Sequence, residues 1–327
     1  MAQGAGRINQ TQGQKARMRS VLIFNPKAGT AHRIKDFLLH LTAGARCELR
    51  PTSQPEDARR IAREVVQEGF DRLIVAGGDG TIGQAVQGIA PDFDRIELAV
   101  LPFGTGNDLA RSLGFSPDQM ELAYEAAFAE RTEPIDLIKI TDNDEVQYCI
   151  NVANGGFGGR VAMDIQTVDK RRWGPMAYWI TSASRLVDLQ QYQVRMDVDG
   201  TEREFQALGV AIANGRFVGG GFPIAPKALL NDGWMDITVI PVLPTFELLA
   251  AGLNFTLNPD ASTSRITTLR ARQLRLHATP ELPFSIDGEP IRHLSATCEV
   301  LPKCLRVVVA EDAPGLCSDS HSEDWLD

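Results

Sequence analysis

Leu73-Ile74-Val75-Ala76-Gly77-Gly78-Asp79-Gly80-Thr81 decides the fold: an apolar run, a turn rich in glycine, and then the start of a helix-like run. Glycine accepts positive φ and lets a ligand approach the backbone, and the amides of a first helical turn have no partner within their own helix. Such a turn binds phosphate. Working outward, the next apolar run Leu98-Ala99-Val100-Leu101 ends in Pro102-Phe103-Gly104-Thr105-Gly106-Asn107-Asp108, and the first run, Val21-Leu22-Ile23-Phe24, ends in Asn25-Pro26-Lys27-Ala28-Gly29. Parallel strands with such loops bring them together at the carboxyl edge of one sheet, where α/β proteins bind ligands. The formal match of Gly78-x-Gly80-x-x-Gly83 to the dinucleotide fingerprint is accidental, because that fingerprint belongs to the first strand of its unit and this loop follows the third strand of the chain. The chain contains no G-x-x-x-x-G-K-[ST], which excludes a P-loop NTPase.

With 327 residues, 43% of them hydrophobic and 23% charged, the chain is long enough for two cored domains. A net charge of -9 argues against a general nucleic-acid binder, which needs an excess of Lys and Arg. Cys47, Cys149, Cys298, Cys304 and Cys317 are odd in number and form no C-x-x-C, so neither a disulfide framework nor a zinc site is expected, and a reducing cytoplasm fits. The five histidines are scattered. No apolar run reaches the ~18 residues of a membrane span, and the basic N-terminus lacks an apolar leader, so any membrane contact is expected to be peripheral.

Residues 1–18 have no apolar period and are expected to be disordered. An α/β domain is predicted over 19–134. Its helices are read at Ile34 to Leu41, from Pro55-Glu56-Asp57 to Gln67, from Thr81, from Asn107, and over Pro117 to Ala129; a weak strand covers Cys47 to Arg50. After Thr132-Glu133-Pro134 the rhythm changes to strands: Ile135 to Thr141, Gln147 to Ala153, Gln193 to Val198 with an Asp199-Gly200 turn, Arg203 to Ala213, Trp234 to Ile240, Gln273 to His277 and Phe284 to Ile286. Helices are expected at Pro175 to Leu189 and Thr245 to Leu253. This predicts an antiparallel β domain over 135–299. The acidic tail, 312–327, is expected to be mobile.

Gly77 to Thr81 and Pro102 to Asp108 closely resemble the two signature loops of the soluble lipid kinases of the bacterial diacylglycerol kinase type, relatives of sphingosine kinases and, more distantly, of NAD kinases. The resemblance runs from about Ser20 to Val309, and includes Asn214-Gly215-Arg216-Phe217-Val218-Gly219-Gly220-Gly221-Phe222 and Ala225 to Asp236, a pairing that NAD kinases lack. It implies a Rossmann-like (NAD kinase-like) α/β domain with a C-terminal antiparallel β-sandwich, and a last strand, 300–311, that returns to the first domain. It also implies ATP-dependent phosphorylation of a lipid hydroxyl, diacylglycerol before other lipids, with ATP and Mg²⁺ as cofactors. The expected setting is the cytoplasmic face of a membrane, with a lipid substrate, no nucleic acid, and homodimer formation left open.

Residue by residue, the resemblance places the nucleotide at Asn25, Pro26, Lys27 and Gly29, at Thr52, at Gly77, Gly78, Asp79, Gly80, Thr81, Ile82, Gly83 and Gln84, and at Gly104, Thr105 and Asn107. On spacing alone Thr52 reads as a helix cap. Asp232, with the carbonyls of Leu229 and Trp234, resembles the family's structural Mg²⁺ site; without the resemblance it is an Asx turn. Asp287-Gly288-Glu289 resembles the turn that supplies the catalytic base, with Glu289 favoured and Asp287 assisting, and Asp79 would help hold the catalytic Mg²⁺. Gly83 and Gln84 stand where the family reads Asn-Glu, and the expectation is weaker nucleotide binding. Lys170-Arg171-Arg172-Trp173 to Trp179 mixes cations with aromatics and reads either as a membrane-docking patch or as a helix packed on the sheet. The rival readings are an NAD-kinase-like or small-alcohol kinase, and a catalytically weak nucleotide-binding regulator.

Overall fold

The computed structural model describes residues 18–26, 47–156, 190–244, 247, 250, 266–291 and 296–317. Outside them lie Lys27 and Gly29, the helical runs expected at Ile34 to Leu41 and Pro175 to Leu189, most of Thr245 to Leu253, and the cationic stretch from Lys170.

Strands β1 (Ser20–Phe24), β2 (Glu48–Pro51), β3 (Arg72–Gly77) and β4 (Glu97–Pro102) form a parallel sheet in the order β2-β1-β3-β4. All of β3 is buried, as a strand covered on both faces requires. Helices α1 (Asp57–Gln67) and α2 (Asp79–Ile89) pack beside it, followed by the short α3 (Asp108–Ser112) and α4 (Met120–Ala126). The Asp57 carboxylate starts α1, accepting from Ser53 N at 2.8 Å and Gln54 N at 3.1 Å. Thr52, read as a cap on spacing alone, instead bonds back to the Phe24 carbonyl at the end of β1. The helix expected from Asn107 stops after five residues, because Gly114 takes φ +86° and turns the chain.

The second half is antiparallel. It comprises β5 (Thr132–Asp142), β6 (Glu145–Cys149), β7 (Val152–Gly156), β8 (Tyr192–Val198), β9 (Thr201–Ala213), the small hairpin β10 (Phe217–Val218) and β11 (Phe222–Pro223), then β12 (Met235–Pro241), β13 (Thr267–Ala271), β14 (Gln273–Thr279), β15 (Phe284–Ile286), β16 (Glu289–Ile291) and β17 (Ala296–Val308). Its inner side chains, among them Ile140, Met196, Ile212, Ile237, Leu276 and Phe284, fill the β-sandwich core. The run Gln147 to Ala153, expected as one strand, is two: β6 pairs with β5, β7 pairs with β9 and β15, and Ile150-Asn151 turns between them. Strands β10, β11, β13 and β16 are additional to the expected set.

Strand β17 joins the halves. Its Ala296, Cys298 and Val300 belong to the sandwich core, whereas Leu305, Val307 and Val308 belong to the α/β core, where Val307 pairs in parallel with Leu98 of β4. A bulge between Leu301 and Leu305, with Lys303 at φ +49°, carries the strand from one core to the other. The segment after Glu311, expected to be mobile, is docked as far as Cys317. Gly315 N donates to Ser112 O at 2.9 Å, Leu230 N to Gly315 O at 2.7 Å, and Cys317 N to Asn231 Oδ1 at 2.7 Å. Ala313 and Leu316 add apolar contact with the α/β core, which the acidic composition of the tail hides.

The contact between α1 and α2 is closest at Gly88, where a Cβ would lie 2.2 Å from the Arg59 carbonyl oxygen. Gly88→Ala must therefore push the helices apart and should lower stability by about 1–3 kcal/mol, read as a fall in melting temperature; an unchanged value would contradict this packing.

Candidate active site

The two glycine loops touch. A Cβ on Gly104 would lie 2.3 Å from the Gly78 Cα, so only glycine pairs allow this approach. Asn107, at φ +55°, closes the second loop on itself: its Oδ1 accepts from Gly104 N and its Nδ2 donates to Gly104 O, both at 2.8 Å. Gly104 N also donates to Gly77 O at 3.0 Å. The Gly104 amide and the Asn107 side chain, expected at the nucleotide, are thus committed to shaping the loop. Gly77, Ile82 and Gly83 are buried, whereas Gly78, Gly80 and Thr81 are partly exposed and Thr105 is exposed. Asn25, whose N donates to Ala76 O at 3.3 Å, and the exposed Pro26 follow β1 at the same sheet edge, with Thr52 beside them.

Asp79 opens α2 and Asp108 opens α3, one in each glycine loop. The Asp79 Oδ1 accepts from Asp108 N at 2.8 Å and Leu109 N at 3.2 Å, so it caps α3. The Asp108 carboxylate accepts from Gly220 N and Gly221 N, the latter at 2.6 Å, in a loop where Gly219, Gly220 and Gly221 all have positive φ. Burial pushes the Asp108 carboxyl up to about 7, the charge of Asp79 adds to this, and the two glycine amides oppose it. Asp79 is raised as well, by burial. A Cβ on Gly106 would fall 2.7 Å from Asp79 Oδ2 and 3.2 Å from Asp108 Oδ2, so the absence of a side chain at Gly106 lets these two carboxylates, hard oxygen donors of the kind a divalent cation takes, come together at one place.

The two acids of the Asp287-Gly288-Glu289 turn differ. Asp287, at φ +49°, is buried and accepts from Ile150 N and Asn151 N at 2.9 Å, Val152 N at 3.1 Å and Cys149 Sγ at 3.4 Å. This cage bends the chain between β6 and β7. Burial still pushes Asp287 up to about 6. Glu289 is exposed, and its carboxyl is raised by partial burial. It reaches the first loop: Gln84 Nε2 donates to its Oε1 at 3.3 Å, and a Cβ on Gly80 would stand 3.1 Å from the same oxygen. Gly83 lies against the Asp287 Cβ.

At the expected structural metal site an arginine stands beside the acid. The Asp232 carboxylate is held by the Arg270 guanidinium and by Trp234 N at 3.0 Å. Arg270 also lies 3.9 Å from Asp236 and 5.3 Å from the centre of the Trp234 ring, so an arginine already supplies the positive charge there. Among the described residues no group of three or more His, Cys, Asp or Glu is arranged to hold a metal. Sequence reasoning missed Asp108, although it sits in the quoted loop, and Asp136, whose only signal is a carboxylate between the apolar Ile135 and Leu137 of β5.

A carboxyl raised in the folded state binds its proton more tightly there, so its contribution to stability is present below the usual carboxylate range and is lost as pH rises through the folded value. In EDTA, the melting temperature should fall as pH climbs from the ordinary value of 3.8 towards about 7, and Asp108→Asn should remove part of that slope. Asp232→Ala leaves Arg270 without its acceptor and should lower the melting temperature equally with Mg²⁺ and with EDTA; a loss seen only in Mg²⁺ would return the ion to this site.

Comparison with known proteins agrees with this geometry. Residues 19–140 match the diacylglycerol kinase catalytic domain, and residues 151–309 match the YegS C-terminal NAD kinase beta sandwich-like domain. A "Probable lipid kinase YegS-like" of Klebsiella pneumoniae is 31% identical over 297 residues, which is 90% of this chain and 97% of that protein. A "Probable lipid kinase YegS" of Salmonella arizonae is 31% identical over 298 residues, again 90% and 97%. A crystal structure of a diacylglycerol kinase from Bacillus anthracis superimposes with a TM-score of 0.73 at 25% identity, covering 90% of this chain and 97% of that one. The paired glycine loops, the sandwich behind them and these relatives together make the chain a lipid kinase of the YegS and diacylglycerol kinase family.

Proposed function

We propose that the enzyme transfers the γ-phosphoryl group of ATP to the free hydroxyl of diacylglycerol, forming phosphatidic acid. The observation that carries this reading is the reach of Glu289 from the sandwich to Gly80, which puts an exposed carboxylate beside the opening amides of α2. Phosphoryl transfer needs three things: neutralised phosphate charge, a placed acceptor oxygen and a destination for the acceptor's proton. The amides of Gly78, Gly80 and Thr81 point positive dipole at a phosphate. Asp79, with Asp108 beside it, would hold Mg²⁺, which when bound offsets the charge of the phosphates. Glu289 takes the hydroxyl proton as the acceptor oxygen bonds to phosphorus and the bond to ADP breaks. Asp287, caged by three backbone amides, shapes the turn that carries Glu289.

The division of labour follows the two cores: residues 19–134 with the strand over 300–311 for the nucleotide, and 135–299 for the lipid. Diacylglycerol is chosen because the relatives of solved structure bear that name, with monoacylglycerol, phosphatidylglycerol, ceramide and sphingoid bases as the alternatives to be compared. Delivery from a membrane surface is part of the proposal, since the substrate resides there; among the described residues no helix is long and apolar enough to cross a membrane.

Incubation with labelled ATP, Mg²⁺ and a mixed lipid extract, followed by separation of the lipids, tests the assignment: label in phosphatidic acid supports it, and label confined to water-soluble products overturns it. Asp79→Asn keeps an oxygen for the α3 amides but loses the charge a cation needs, and should abolish transfer with the fold intact; activity within about tenfold of wild type would remove the metal role. Glu289→Gln should lower kcat by about two orders of magnitude with the KM for ATP unchanged. Asp287→Asn turns an NH₂ group towards backbone N–H donors and should show first as a lower melting temperature.

A further inference from the structure

Gly80, Gly83, Gln84 and Gln87 recur at i, i+3, i+4 and i+7 along α2 and so share one face of that helix. Every one of them meets the second half of the molecule. A Cβ on Gly80 would stand 3.1 Å from Glu289 Oε1, and one on Gly83 would stand 3.0 Å from the Asp287 Cβ. Gln84 Nε2 donates to Glu289 Oε1 at 3.3 Å. Gln87 clasps one residue of β6 twice, its Nε2 donating to Tyr148 O at 2.5 Å and its Oε1 accepting from Tyr148 N at 3.1 Å. Other faces of the helix bury Ile82, Ala85, Val86 and Ile89 in the α/β core and set Gly88 against Arg59. The helix that opens with the phosphate-type loop therefore lies flat on the turn bearing Glu289.

We infer that Gln84 is the positioning residue for Glu289: its amide fixes the carboxylate over Gly80, and Gly83 is the missing side chain that lets the Asp287-Gly288-Glu289 turn come within reach. This rests on the reading of Glu289 as proton acceptor. The two positions that depart from the Asn-Glu of the family then act on the proton transfer, and the nucleotide is held elsewhere. The chemistry favours an amide at this place. A neutral N–H donor orients a carboxylate and favours its charged, proton-accepting form without adding charge. A glutamate at 84 would set a second negative charge on Glu289, which already feels the charge of Glu56. An asparagine at 83 would need its Cβ 3.0 Å from that of Asp287, and the 3.3 Å bond from Gln84 has little room to lengthen before it is lost.

The experiment measures label entering the lipid phase from labelled ATP and the lipid extract, across pH, for wild type, Gln84→Met, Gln84→Glu, Glu289→Gln and the double variant Gln84→Met/Glu289→Gln. Loss of one oriented hydrogen bond should lower kcat about threefold to tenfold in Gln84→Met. Its acidic limb should move to higher pH, as it should in Gln84→Glu, with the KM for ATP within about twofold of wild type. In the Glu289→Gln background Gln84→Met should cost nothing more, since it acts only through Glu289. A raised KM for ATP with an unmoved pH profile would make Gln84 a nucleotide contact and overturn the inference, as would equal losses in the presence and absence of Glu289. A mild Glu289→Gln by itself sinks the reading of the base and is told apart by that single variant. Gly83→Ala, which crowds the turn without touching the hydrogen bond chemically, should reproduce the kcat loss; full activity there would show that the turn does not depend on the gap.

Discussion

The carboxylate of Asp136 is the point on which the two halves of the molecule turn. Its Oδ1 accepts from Lys303 N at 2.7 Å, at the bulge of β17, and its Oδ2 accepts from Gly233 N at 2.6 Å. Its own backbone N–H donates to Leu230 O at 2.6 Å and its carbonyl accepts from Asn214 Nδ2 at 2.8 Å. One fully buried acid thus holds the place where β17 leaves the sandwich core for the α/β core, and the loop that follows β11. Burial raises its pKa and the two amides work against that rise. A strand that kinks between two cores exposes backbone groups that neither sheet can satisfy, and an acceptor with two oxygens is the economical remedy.

The same device recurs around the cleft. Asp79 reaches the amides of α3, Asp108 those of the triple-glycine loop, and Asp287 those between β6 and β7. Each links loops far apart in sequence, and each asks for a backbone that can turn its N–H groups inward, which is why glycine or positive φ appears at or next to several of these contacts. The site is accordingly held by charge-assisted bonds to main chain, while most side chains free to meet a substrate sit on the rims of the loops.

Much of this was legible. Continuous apolar runs such as Leu73 to Ala76, bounded by turn residues, read as strands covered on both faces, and the glycine loops behind them announce the ligand edge. The alternation in Gln273 to Thr279 and the Asp199-Gly200 turn are equally plain. What could not be read was pairing across distance. Nothing near Asp232 in the sequence reveals Arg270, and nothing near Gln147 to Ala153 reveals that Asp287 breaks the run in two. Thr267–Ala271 escaped notice because it is a largely exposed strand with few apolar residues, and the docking of Ala313 to Cys317 because its acidic surroundings mask two apolar contacts and one glycine.

The position of β17 also sets an order on the birth of the protein. Strand β4 finds its outer neighbour only in Val307, about two hundred residues after its own Leu98 has been made. At about 5–20 residues per second that interval is on the order of 10–40 s, during which the β4 edge of the parallel sheet, apolar from Leu98 to Leu101, lacks its partner strand. Such an edge invites pairing with another nascent chain. The α/β half, first to be synthesised, is therefore the last to be closed.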